Sequence, residues 1–178
     1  FLGTVLHQRG HLDAAIYKFE KAIEVDPNSW EVYKNLGISS NERGYHDKAL
    51  NAFKQAIRFS PNCAELYAYI GITLGHSEKF DAAFENFNKA LEINPDYTQA
   101  YVYMGRTFDK QGKFQKAIES CNKALSIGKK MYGDDTKKKY KIYFLYLSLT
   151  GIADQSFYSY ETNESSESKA LEVLKSIL

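Results

Sequence analysis

Residues 33–61, YKNLGISSNERGYHDKALNAFKQAIRFSP, and residues 67–95, YAYIGITLGHSEKFDAAFENFNKALEINP, align without a gap at a step of 34. Pro27, Pro61 and Pro95 keep that step. So do Ala15, Ala49, Ala83 and Ala117, then Ala22, Ala56, Ala90 and Ala124, then Gly3, Gly37, Gly71 and Gly105. Four independent columns on one period identify an internal repeat, and a repeat constrains the architecture more strongly than any local propensity.

Each period reads as two helices. In the first, Tyr33, Leu36, Gly37 and Ser40 fall at offsets of zero, three, four and seven, and Tyr67, Ile70, Gly71 and Leu74 repeat them. Tyr101, Met104, Gly105 and Phe108 follow the same spacing. That spacing is one face of an α-helix. In the second, Ala15, Phe19 and Ala22 share a face, as do Ala49, Phe53 and Ala56, and Ala83, Phe87 and Ala90. Gly10, Gly44 and Gly112 stand between the two, where glycine accepts the left-handed conformation that ends a helix. Glu78 holds that place in the third repeat, so its turn must close without glycine. The second helices are predicted to stop ahead of Asp26-Pro27, Ser60-Pro61 and Asn94-Pro95, because proline disfavours helical geometry in the residue before it. The Gly and Ala columns let paired helices approach closely, and the aromatic side chains fill the space beside them.

The pattern resembles the tetratricopeptide repeat, a helix-turn-helix unit with an aromatic, Leu-Gly, Ala, Phe, Ala and Pro signature. Leu36-Gly37, Ala49, Phe53, Ala56 and Pro61 match that signature almost fully. The resemblance implies an all-α, right-handed superhelical solenoid of antiparallel helix pairs. About four repeats are expected over 1–128 (a partial 1–29, then 30–63, 64–97 and 98–128). Phe1 falls within the first helix of a repeat, so further repeats are expected ahead of it. In the fourth repeat Cys121 takes the aromatic column and Lys129 the proline column. Residues 129–136 read as a polar connection, and 129–178 as a divergent fifth repeat or capping helices with a polar loop near 161–168. The stretch Ile142–Leu149 is apolar on almost every face, as a helix buried on several sides would be.

Composition narrows the function classes. A net charge of +1 leaves no global basic field for nucleic acid or a membrane surface. The apolar run around Ile142–Leu149 falls short of the roughly 20 residues that span a bilayer, so no membrane insertion is expected. Cys63 and Cys121 form neither a disulfide framework nor a zinc-ligand spacing, and read as reduced thiols of an intracellular, cytoplasmic protein. His7 and His11 are separated by the turn at Gly10, which denies them a shared helical face for a metal. No phosphate-cradling glycine loop or nucleophile-elbow motif is present. The expectation is a protein that is not an enzyme and needs no cofactor.

In a superhelix of this kind the first helix of each pair lines the concave surface. The resemblance places Glu31, Lys34, Asn35, Ile38 and Asn41 there from the second repeat. Glu65, Ala68, Tyr69, Ile72 and His76 follow from the third, and Gln99, Val102, Tyr103, Arg106 and Lys110 from the fourth. The candidate peptide groove is therefore Lys34, Asn35, Ile38, Tyr69, Ile72, Tyr103 and Arg106, suited to a partner protein segment with some acidic character. Family members that grip the C-terminal carboxylate of heat-shock chaperones use Lys, Asn, Asn, Lys and Arg. Here those places hold Lys34, Ile38, Tyr69, Gln99 and Tyr103, so that mode does not transfer. Two alternatives stand beside groove binding: self-association into a homo-oligomer through the C-terminal helices, and service as the repeat arm of a larger enzyme.

Overall fold

The computed structural model describes residues 2–132, which form eight α-helices joined by short turns. They are α1 (Leu2–Gln8), α2 (Leu12–Val25), α3 (Trp30–Glu42), α4 (His46–Phe59), α5 (Ala64–His76), α6 (Phe80–Ile93), α7 (Thr98–Lys110) and α8 (Phe114–Tyr132). Consecutive helices pair as α1/α2, α3/α4, α5/α6 and α7/α8, and each pair packs on the next. The first helices also touch one another, α3 with α5 and α5 with α7. Contact between second helices is sparser, as where Lys48 of α4 meets Glu20 of α2, and the first helices form the inner face of the stack. The result is a superhelical solenoid of antiparallel helix pairs.

The glycine and phenylalanine columns are one device. Phe53 and Phe87 are fully buried and Phe19 nearly so. Each ring lies against the glycine of its own pair: a Cβ on Gly37 would stand 2.4 Å from Phe53, and one on Gly71 would stand 2.5 Å from Phe87. Bare backbone on one helix is thus the socket for a ring on the other. Ala15, Ala49, Ala83 and Ala90, all without exposed surface, complete the close approach.

The turns inside each pair share one geometry. Gly10, Gly44 and Gly112 have φ of 77°, 87° and 70°, and Glu78 occupies the equivalent place at φ 59°. The N–H groups of His11, Tyr45, Lys79 and Lys113 donate to the carbonyls five residues back at 2.7–2.9 Å. That bond and the left-handed residue before it make a Schellman cap, which satisfies carbonyls that a helix end would otherwise leave open. Between pairs, α2, α4 and α6 stop at Val25, Phe59 and Ile93, directly ahead of Asp26-Pro27, Ser60-Pro61 and Asn94-Pro95.

The last helix differs. α8 has 19 residues where α2, α4 and α6 have 14 each. It runs through residues 129–132, the start of the stretch expected to be a polar connection. The physical reason is the missing proline: lysine at 129 keeps its N–H and forces no extended residue before it. The divergent segment from residue 133 onward, with Ile142–Leu149 and the polar loop near 161–168, lies outside the described residues.

Candidate peptide-binding groove

The inner face is made of α3, α5 and α7, and the polarity of its residues is decided turn by turn. Ser39, Thr73 and Thr107 form a column at the repeat step and are buried. Thr73 and Thr107 donate to the carbonyls of Tyr69 and Tyr103, both at 2.8 Å, and so spend their hydroxyls inside their own helices. The surface left for contact therefore consists of the side chains on either side of this column.

The seven expected groove residues divide into three groups. Lys34 donates to Glu65 Oε2 at 3.0 Å and lies over the Trp30 ring, 5.2 Å from its centroid. Its charge is engaged in tying the second repeat to the third. Asn35 is half-buried beside it. Ile38 and Tyr69 pack against the cluster around Phe53, with the Tyr69 and Phe53 rings stacked at 5.5 Å and 6°. Ile72, Tyr103 and Arg106 converge on a single open depression, completed by Gly75, His76, Thr107 and Lys110. The Tyr103 ring is backed by Phe87 at 6.5 Å.

Two residues that the resemblance places on the groove are elsewhere. Val102 is 3% exposed and packs with Cys121 and Ala124, and Ala68 is 1% exposed among Ala64, Ala90 and Ala100. The column that presents Lys34 in the second repeat turns into the contact with the neighbouring second helix in the third and fourth. A long charged side chain climbs out of that position, whereas Ala and Val remain inside it.

Burial and nearby charge shift titratable groups along the groove. Burial, and then the negative charge of Glu65, hold the phenols of Tyr69 and Tyr97 protonated well beyond their ordinary range. These rings therefore act as neutral amphipathic surface. At the other end His76 is pushed below the usual imidazole value, by burial first and then by Lys110, His46 and Arg106. Asn41 joins two histidines: its Oδ1 lies 3.2 Å from His46 Nδ1 and 3.4 Å from His76 Nδ1, with the two rings 5.8 Å apart. His46 opens a second helix, so a search confined to first-helix positions misses it.

One constellation has the order of a hydrolytic triad. His7 Nδ1 is 3.0 Å from Ser39 Oγ, and His7 Nε2 is 3.6 Å from Glu42 Oε1. Ser39 has no exposed surface, so no acyl carbon can reach its oxygen. These three side chains tie the first repeat to the second. Among the described residues no cluster of three or more His, Cys, Asp or Glu could hold a metal ion, and no helix is long and apolar enough to cross a membrane.

Comparison with known proteins agrees with this architecture. A family model described as TPR repeat matches residues 3–39. Two described as tetratricopeptide repeat match residues 64–97 and 86–119. No curated protein sequence matches the chain. A crystal structure of MamA superposes with a TM-score of 0.64 at 25% identity, covering 99% of this chain and 96% of that one. A second MamA crystal structure gives 0.61 at 25% identity, covering 96% and 86%. MamA from residue 41 to its end, from Desulfovibrio magneticus RS-1, gives 0.65 at 18% identity, covering 74% of each chain. With the repeat columns, the glycine sockets and the capped turns, these matches make the chain a member of the tetratricopeptide-repeat family, a scaffold for protein–protein contact.

Proposed function

We propose that the inner face binds a segment of a partner protein lying across α3, α5 and α7. The carrying observation is the half-buried row Ile38, Tyr69, Ile72 and Tyr103, which crosses three successive repeats. Tyr69 and Tyr103 are backed by the core rings Phe53 and Phe87, so little side-chain freedom remains to be lost when a ligand arrives. Lys34 and Asn35 border the row at one end and Arg106 at the other. We read the role as binding without catalysis, because the His7, Ser39 and Glu42 set among the described residues has its hydroxyl sealed. Two unpaired thiols, Cys63 and Cys121, favour a reducing intracellular compartment, and the near-zero net charge favours a protein partner over nucleic acid.

The test is a short-peptide library panned against the protein, followed by affinity measurement on an Ile38→Glu/Ile72→Glu variant. Both positions are only half-buried, so the variant is expected to keep its helicity. Selected peptides should lose at least tenfold in affinity for it, because the two carboxylates break the apolar row. Peptides that bind the folded variant as tightly as wild type would place recognition on another face.

A further inference from the structure

The depression between the last turns of α5 and α7 gathers Arg106, Lys110 and His76 about one opening. Along the inner face, Lys34 of α3 is matched by Glu65 at 3.0 Å. Arg106 and Lys110 lie one turn apart on α7, both exposed, and among the described residues neither meets a carboxylate. His76 faces them from α5. The floor is kept open by Gly75, whose added Cβ would stand 3.2 Å from Thr107 Oγ1. Ile72 and the Tyr103 ring supply an apolar wall. Thr107 has its hydroxyl on the Tyr103 carbonyl, and the cationic side chains lining the opening are Arg106 and Lys110, beside the His76 imidazole.

We propose that this depression is a carboxylate seat, which takes an aspartate or glutamate side chain of the partner segment while Ile72 and Tyr103 pack the residue next to it. The proposal rests on the groove reading above and specifies where along the groove the acidic residue goes. Charge complementarity selects the occupant: two exposed cations and a histidine gathered about one opening disfavour a basic or neutral polar group and attract an anion. The cations of the seat, Arg106 and Lys110, stand at other positions than those that family members use for a C-terminal carboxylate, which here hold Gln99 and Tyr103.

Acidity should reinforce the seat. The groups facing His76 are Arg106 and Lys110 from α7, His46 from the start of α4, and Asn41 from α3, which contacts both imidazoles. An arriving carboxylate offsets the repulsion from the cations and favours protonated His76. Binding should then strengthen as pH falls below the ordinary histidine range, until the ligand's own carboxylate protonates.

The experiment compares two short-peptide libraries, identical except that Asp and Glu in one are replaced by Asn and Gln in the other. The best acidic binder and its amide counterpart are then titrated against wild type, Arg106→Gln, Lys110→Gln, His76→Gln and Ile38→Glu. Each Arg106 or Lys110 change should weaken the acidic peptide about three- to tenfold and leave the amide peptide unmoved. Wild-type affinity for the acidic peptide should rise severalfold from about pH 7.5 to about pH 5.5, and the rise should shrink in His76→Gln. Equal affinity of acidic and amide peptides, both sensitive to Ile38→Glu but indifferent to Arg106 and Lys110, overturns the seat and leaves the groove standing. Sensitivity to Arg106 and Lys110 with indifference to Ile38→Glu keeps the seat and overturns the groove.

Discussion

Gly37→Ala adds a single methyl group to the middle of α3, and the glycine socket predicts that it is costly. On helix propensity alone the change is favourable by about 1 kcal/mol, since glycine is the poorer helix former. The new Cβ, however, would stand 2.4 Å from Phe53 Cε1 and 2.7 Å from both Cδ1 and Cζ. Those separations fall more than ~1 Å inside normal carbon–carbon contact. Phe53 has no exposed surface, and Tyr69 is stacked on its ring, so it has nowhere to retreat. Overpacking of this severity belongs at the upper end of the usual range, about 3 kcal/mol, which leaves a net loss of about 2 kcal/mol. For a chain of this size that corresponds to a fall of about 4–8 °C in thermal midpoint. Circular dichroism melting would measure it, with two further variants for reference. Gly75→Ala meets only the Thr107 side chain, its hydroxyl at 3.2 Å and its methyl at 3.6 Å, and should be close to neutral. Gly37→Ala combined with Phe53→Leu should cost less than the two single changes added together, with a coupling of about 1 kcal/mol or more. An unchanged midpoint for Gly37→Ala, or strict additivity in the pair, would refute the socket.

Three other outcomes follow from features of the same structure. Glu78→Gly should stabilise the fold by about 0.5–1 kcal/mol, because it relieves a left-handed conformation that costs an L-residue more than glycine; denaturant midpoints of variant and wild type test this. The Cys121 thiol, pushed up to about 11 by burial and then by Asp109, should resist alkylation at neutral pH in the folded protein, while half-buried Cys63 is modified first. Mass spectrometry of partially labelled protein separates the two sites. His76 has its proton affinity lowered by folding, so its contribution to stability is present above the ordinary histidine range and is lost as pH falls through and below it. The melting temperature of the unliganded protein should therefore fall on acidification, with a flatter profile in His76→Gln.

The fold could be read in the sequence because its signals are redundant. Pro61 ends a helix, Gly44 caps one, and Gly37 receives Phe53, and each of these statements recurs one repeat away. Glu78 shows that redundancy: the turn forms without its glycine because the surrounding columns fix the register. The site was harder to read, since spacing says which residues share a face but not which are already engaged. The resemblance makes Lys34 a groove cation, yet it is paired with Glu65 from the next repeat. The resemblance puts Val102 in the groove, yet a short apolar side chain in that column turns inward. The link from Asn41 to His46 and His76 joins residues of three helices, and no single-helix periodicity contains it. The continuation of α8 past residue 128 was legible only as the absence of a proline.

The contacts that close each pair and many of those that join pairs are of different kinds. Gly–Phe sockets are internal to a hairpin, with Gly37 receiving Phe53 and Gly71 receiving Phe87. The polar ties run from one hairpin to the next: His7 to Ser39, Asp13 to Arg43, Glu20 to Lys48, Lys34 to Glu65 and Asn41 to His76. Mechanically the molecule is then a row of stiff links whose hinge angles are trimmed by charge. Salt weakens the trim without touching the links. Small-angle scattering at rising ionic strength should register a change in the pitch of the coil, and hence in the width of its inner channel, while helicity stays constant. Such a change would make the curvature offered to a ligand depend on the ions around the protein as well as on its sequence.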